Sequence, residues 1–126
     1  MSRSSNPIKH YASAVYDFAV DGGGISGGLY PSQTTKIPAR AVITDVTIET
    51  LTTHASGGTN TIKILAAGQE ITGSVALADR QAGDVYITVT PKIGASLARE
   101  IGIVVETAAL TAGKSVITVG YFTNPL

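Results

Sequence analysis

The residues able to carry chemistry are few and scattered. His10 and His54 are the only imidazoles of a 126-residue chain that has no cysteine. Lacking Cys, the chain has no disulfides, thiolate metal sites or thiol nucleophiles, and its redox compartment stays open. A zinc site needs three or four converging ligands, and neither histidine has a ligand-type partner at the i+2 or i+4 spacing. His54 opens a Gly-rich stretch and reads as a solvated loop residue. Serine hydrolysis requires Ser, His and an acid held in one geometry, and two histidines in loops give no basis for it. Asp79 and Asp84 flank a turn and Asp17 with Asp21 the end of a strand, but their spacing matches no standard calcium loop. Asp45, Glu49 and Glu106 fall on strand-like runs, and the outward alternation of Asp45 and Glu49 marks solvated charge rather than a glycosidase pair. No cofactor, metal or catalytic residue is expected.

Two glycine motifs are matched only in letters. Gly22, Gly24 and Gly27 satisfy G-x-G-x-x-G, which binds dinucleotides when a helix starts in that loop and turns its amides to the pyrophosphate. Here Gly28-Leu29-Tyr30-Pro31 follows, and it starts no helix. Ala112-Gly113-Lys114-Ser115 has the ending of a phosphate-binding P-loop, but Ala108 stands where the first Gly is required, and a strand pattern follows instead of a helix.

What must position these residues is a series of strands. Runs rich in Val, Ile and Thr recur about every ten residues between Gly, Asn and Asp clusters, the pattern of an all-β sandwich or barrel. The expected strands are 11–20, 42–53, 61–66, 85–90, 101–106 and 115–122, with a short apolar segment over 71–77 and one helical turn or a polar loop over 92–99. Tyr16 and Phe18 share one face of the first strand and Val15 the other. The twelve-residue run 42–53 is long for a small domain and predicts a bend or bulge near Thr50–Leu51. Residues 54–60 and 107–114 read as hairpin connections, and Pro91 as a strand stop. The expected core is Val42, Val46, Ile48, Ile62, Ile64, Val85, Ile87, Val89, Ile103, Val105, Val116 and Val119. Alternation forbids Val116 and Val119 from facing the same way, so one of them should meet a neighbouring subunit.

Composition restricts the partners. Nine basic and nine acidic residues cancel, whereas non-specific nucleic-acid binding needs surplus Lys and Arg to displace counterions. Nucleic acid is therefore not an expected partner. Charged residues make up 14% of the chain, against about 25% in average domains, and the mean hydropathy is +0.25. Such a surface suits contact with protein more than with water, and homo-oligomerisation follows as the economical expectation. No run reaches the ~18 apolar residues of a membrane span, and Met1-Ser-Arg-Ser-Ser-Asn-Pro7 lacks a signal-peptide core; synthesis in the cytoplasm is expected. The chain divides into a polar arm, 1–10, and a single domain, 11–126. The arm, with Arg3 and Lys9, and the Gly-rich 21–36 stretch, with Gly24, Leu29 and Tyr30, are the candidate partner contacts.

The stretch Ile37-Pro-Ala-Arg-Ala-Val-Ile-Thr-Asp-Val-Thr-Ile-Glu-Thr50, the Gly/Ser/Thr loop at 53–59 and the closing Leu110-Thr-Ala-Gly-Lys-Ser-Val-Ile-Thr-Val-Gly-Tyr121 together resemble structural proteins of tailed bacteriophages. The likeness covers roughly 37–121. It implies a β-sandwich, jelly-roll-like capsid decoration (cement) protein that trimerises on the outer surface of the virion and bridges major capsid protein subunits. A tail, baseplate or head-fibre module is the alternative within that resemblance. A carbohydrate-binding sandwich is a third reading, disfavoured by the absence of Trp platforms.

Overall fold

Alternating apolar and polar side chains resolve into two antiparallel sheets packed face to face. The structure is a computed structural model and describes residues 9–38, 41–66, 69–93 and 100–122. Sheet A holds β1 (Lys9–Asp17), β3 (Gln33–Thr34), β4 (Val42–Ser56), β8 (Val85–Ile93) and β10 (Leu110–Phe122), in the order β3-β1-β10-β4-β8. Sheet B holds β2 (Ser26–Leu29), β5 (Thr61–Ala66), β6 (Gln69–Glu70), β7 (Val75–Ala76) and β9 (Gly102–Glu106), ordered β2-β9-β5-β6. β7 lies on the same side of β5 as β6, farther along it, so the two act as halves of one broken strand. Pairing is nested from the outside inward: β1 with β10, β2 with β9, β4 with β8, and β5 with β6 and β7. An all-β antiparallel sandwich with nested strand pairing results.

The nesting changes the meaning of the two tight connections. β4 and β5 belong to different sheets, as do β9 and β10. The segments expected to be hairpin loops are instead arches that carry the chain from one sheet to the other. Both elements flanking them are longer than the sequence suggests, with β4 reaching Ser56 and β10 starting at Leu110. The expected bulge is present: Ser115 pairs with Thr50 and Lys114 with Thr52, which leaves Leu51 as the extra residue on β4. A second irregularity, at Thr44, shifts the parity of the strand's start. Ile43 is therefore buried in the core, and Val42, expected there, is only half-buried.

Alternation places Val46, Ile48, Ile62, Ile64, Ile103, Val105 and Val119 in the interior, as expected, with Ile117, Ile37, Ile71 and Tyr16 beside them. Val116 points the other way from Val119 and is half-buried on the outer face. β8 reverses expectation. Val85 and Ile87 are 56% and 61% exposed, and Tyr86 packs against the core in their place. The run Val-Tyr-Ile-Thr alternates two apolar rows, and the larger aromatic ring fills the interior while the β-branched row faces outward. The Val89 side chain lies outside the described set. β8 also continues through Pro91 to Ile93, which the edge position permits because a proline there removes no ladder bond.

Phe18 leaves the first strand for a four-residue helical turn, α1 (Phe18–Asp21), capped by the Asp17 carboxylate and ended by Gly22 at φ +76°. The 21–36 stretch is a pair of distorted edges rather than an open loop, since β2 borders sheet B and β3 borders sheet A. Asp21 organises it, its two carboxylate oxygens accepting from the backbone N–H groups of Asp17 and Ser32. Residues 94–99, where a helical turn or loop was expected, lie outside the described residues, and so do 1–8 of the expected arm. Lys9 and His10 already belong to β1.

Candidate functional site

Among the described residues, a buried cluster of reactive groups sits where the two arches meet. His54, on β4, is 3% exposed, which corrects the expectation of a solvated loop residue: β4 runs two residues past it before the turn begins. Arg80, in the turn after the 3-10 segment Leu77–Asp79, is fully buried. Its Nη1 donates to His54 Nδ1 at 2.8 Å. Nη2 donates to Asn60 Oδ1, and Nε to the Ala76 carbonyl at 3.4 Å. Asn60 in turn donates from Nδ2 to the Ala108 carbonyl at 2.6 Å, so one side chain fastens both arches.

The direction of these bonds decides what the cluster can do. A guanidinium has no acceptor, so His54 Nδ1 must accept and the neutral ring carries its proton on Nε2. That proton is donated to Ser115 Oγ, 2.7 Å away. Ser115 Oγ lies 3.2 Å from Thr50 Oγ1, and either hydroxyl can serve as the donor of that bond. A hydrolase needs the reverse flow, with the serine donating to a histidine lone pair and an acid on the far nitrogen. Here Arg80 occupies the acid's place. Burial and the neighbouring Arg80 charge both lower the His54 pKa, to about 4. Burial also lowers that of Arg80, to about 10, which leaves it charged at neutral pH. Tyr16 lies beside His54 with ring centroids 5.7 Å apart and donates its hydroxyl to the Gly22 carbonyl at 2.6 Å. Burial, then the Asp21 charge, pushes the Tyr16 pKa up to about 12.

Other motifs resolve into backbone roles. Gly113 bulges at φ +140°, and a Cβ there would come within 2.5 Å of the His54 ring, so this glycine makes room for the imidazole. That is its function, in place of phosphate binding. Gly24-Ile25-Ser26-Gly27-Gly28 satisfies G-x-S-x-G in letters, but it enters edge strand β2 rather than a strand-to-helix elbow. Asp84 accepts from the Gln81 N–H and closes its turn. Among the described residues no three His, Asp or Glu side chains converge as metal ligands.

The outer faces of the two sheets differ in chemistry. On sheet B, Lys63 Nζ stands 3.4 Å from Glu70 and 3.5 Å from Glu106, and Glu106 also accepts from Thr61 and Ser74. That is a charged, hydrated face. On sheet A, the cross-strand rows read Val15, Val116, Glu49, Val85 and Ser13, Thr118, Thr47, Ile87. A Lys9–Asp45 ion pair of 2.8 Å closes one end of this face. A Cβ on Gly120 would fall 2.4 Å from the Asp45 carboxylate, so the pair lies across that glycine.

The candidate contacts inferred from sequence do not form one patch. Arg3 lies outside the described residues. Lys9 is engaged with Asp45 on sheet A. Gly24 is exposed ahead of β2, and Leu29 is half-buried in β2, paired with Ile103. Tyr30 is exposed, its ring lying against Gly102, where a Cβ would be 2.7 Å from it. Gly24, Leu29 and Tyr30 thus share the β2 edge of sheet B, while Lys9 stands on the other sheet. His54, Arg80 and Asn60 went unrecognised as a unit, because nothing in their spacing announces that the arches bring them together.

No protein-family model and no curated protein matches the chain. Solved structures do. A chain of the cyanophage Pam1 capsid asymmetric unit superposes with a TM-score of 0.65 at 16% identity, covering 98% of this chain and 91% of its own length. The chain shares the fold of that chain. A chain of the acid-stable capsid of Helicobacter pylori bacteriophage KHP30 gives a TM-score of 0.62 at 15% identity, covering 92% of this chain and 88% of its own. Both likenesses run almost from end to end, so the shared fold accounts for both sheets rather than for one motif.

Proposed function

We propose that the chain is a non-enzymatic structural protein of a phage head, seated on the outer capsid surface against the major capsid protein and reinforcing the particle. The carrying observation is end-to-end likeness of fold to chains of two phage capsid structures. The chemistry of the surface supports it. Equal numbers of acidic and basic residues suit a shell exterior better than a DNA-facing interior. The Arg80–His54–Ser115 order, with its proton flow away from the histidine, supports a structural role over a hydrolytic one. Self-association belongs to the same proposal, since several modest contacts made at once gain from avidity; the resemblance implies a trimer. The arm with Arg3 and the β2 edge with Gly24, Leu29 and Tyr30 are the proposed capsid contacts.

Co-sedimentation with purified empty capsids of the parent phage tests the reading. Saturable binding at a fixed ratio to the major capsid protein, with raised capsid melting temperature, is the expected outcome. A protein that stays in the supernatant over all empty and filled capsids would sink it. Deleting residues 1–8 should reduce binding while the strand content stays unchanged.

A further inference from the structure

We infer that the Tyr30 ring, seated on Gly28 and Gly102, is the anchor of the β2-edge contact and receives a basic side chain, Arg or Lys, from the protein that docks there. This rests on the proposed function, in which the β2 edge meets the capsid protein, and it names the chemistry of that contact.

Three observations carry it. First, the seat matches the ring. A Cβ on Gly102 would lie 2.7, 3.0 and 3.2 Å from Cε1, Cδ1 and Cζ of Tyr30, and one on Gly28 would lie 3.4 Å from Cε2. Opposite edges of the ring thus rest on glycines of two adjacent strands, β2 and β9. The ring lies flat over them, and Tyr30 stays 51% exposed. Glycine inside a strand weakens it and marks a close approach. A ring left half in water returns little burial for two such positions. What the seat provides is an aromatic face held in one place, which loses less freedom when a partner binds.

Second, the other tyrosines are already engaged. Tyr11, also exposed, has Lys9 Nζ 5.4 Å from its ring centroid. Tyr16 lies beside His54, Tyr121 stacks on His10 at 5.6 Å, and Tyr86 packs against the core. Among the described residues, no cation and no second ring covers Tyr30. The Lys9–Tyr11 pair shows a cation on a tyrosine face supplied from within the chain. At Tyr30 that place is open to a partner.

Third, the surrounding charge selects the sign of that partner. On the outer face of sheet B, Lys63 is shared between Glu70 and Glu106, two carboxylates to one ammonium. Glu70 is opposite Leu65 in the β5–β6 ladder, and Leu65 borders the seat, its Cδ1 3.5 Å from where a Gly28 Cβ would be. A basic side chain laid on the ring meets excess negative charge on the same face, and an acidic one is repelled. Arg or Lys within about 6 Å of a ring centroid is the attractive geometry.

The experiment is an NMR titration of the isotope-labelled chain with a blocked hexa-arginine peptide, and with a hexa-glutamate peptide as control. It is repeated on Tyr30→Ala, Tyr30→Phe and Gly102→Ala, each checked for retained strand content by circular dichroism. The arginine peptide should shift the Tyr30, Leu65 and Gly102 resonances saturably, and the glutamate peptide should leave them in place. Tyr30→Ala should weaken binding about tenfold or more, as loss of an anchor does. Tyr30→Phe keeps the ring and should keep most of the binding, whereas Gly102→Ala unseats the ring and should weaken it severalfold. No arginine-dependent shift at Tyr30, or shifts that survive Tyr30→Ala, would overturn the inference. So would a Tyr30→Ala chain that binds normally and melts lower, since the ring would then only cover the glycines beneath it. Capsid co-sedimentation of the same variants separates the two readings. A chain that takes the peptide at Tyr30 but ignores capsids removes the virion role alone, and capsid binding indifferent to Tyr30→Ala removes this anchor alone.

Discussion

Acid should destabilise this fold through a single histidine. His54 is buried and neutral, its Nδ1 occupied by a proton from Arg80. Protonating it would set two cations in contact and leave Nδ1 facing a donor. Its pKa falls from an ordinary 6.5 to about 4 in the folded chain. Because the folded pKa is the lower one, the unfolded chain takes up its proton first. Between about pH 6.5 and pH 4 the unfolded state therefore holds more protons, and stability declines as pH drops through that window. At ~1.4 kcal/mol per pKa unit the full loss is about 3 kcal/mol, against a typical total of roughly 5–15 kcal/mol for a domain. Above about pH 7.5 this contribution is complete and the profile from this group is flat. Urea denaturation between about pH 7.5 and 4.5 measures the slope, and His54→Gln removes the titrating group. The variant should be less stable at neutral pH and should lose most of the wild-type slope. A wild-type stability that stays level across the window, or an NMR titration placing His54 near 6.5, would refute the argument from Arg80.

Further outcomes follow from packing and backbone. Ile64→Ala, at a fully buried position, should cost ~2–5 kcal/mol in chemical denaturation. Arg80→Ala should cost about 3 kcal/mol or more, because it leaves His54 Nδ1 and Asn60 Oδ1 without a donor in the interior. The same variant should bring the His54 titration back toward its ordinary range, readable by NMR. Gly113→Ala combines a positive φ with contact against an enclosed ring, whereas Gly102→Ala meets only the ring of an exposed Tyr30. Melting temperatures should therefore drop clearly for the first and little for the second, with the second altering tyrosine fluorescence instead.

The strands were legible because alternation is local. Ile62 and Ile64, Ile103 and Val105, and the opposed directions of Val116 and Val119 all follow from period two. The Leu51 bulge was legible from strand length alone. What failed to show depends on relations between distant segments. β8 has apolar residues in both of its rows, so periodicity could not choose the inner one; the fit of Tyr86 to the core chose it. His54 lies just before Gly57 and Gly58, and a turn signal says little about how far a strand extends before it. Arg80 gave no sign of burial, since a charged residue in a turn is ordinarily wet. Only the meeting of the two arches supplies Asn60 and His54 as its partners.

The nesting of first strand with last has a consequence in time. Lys9 is registered against Phe122, so β1 has no complete ladder until nearly the whole chain has been made. Local pairing gives the fold little start, because the two arches carry the chain into the other sheet and the tight β5–β6 hairpin has only two residues in β6. Loop closure across such separations must precede the contacts that reward it, which places folding among the slow, milliseconds-to-seconds class. During that wait the uncharged Val85–Thr90 run is exposed in every unfinished chain. Concentration in the producing cell then sets a race between closing the sandwich and joining a neighbour by an unpaired edge, and the yield of native protein should rise as expression is slowed.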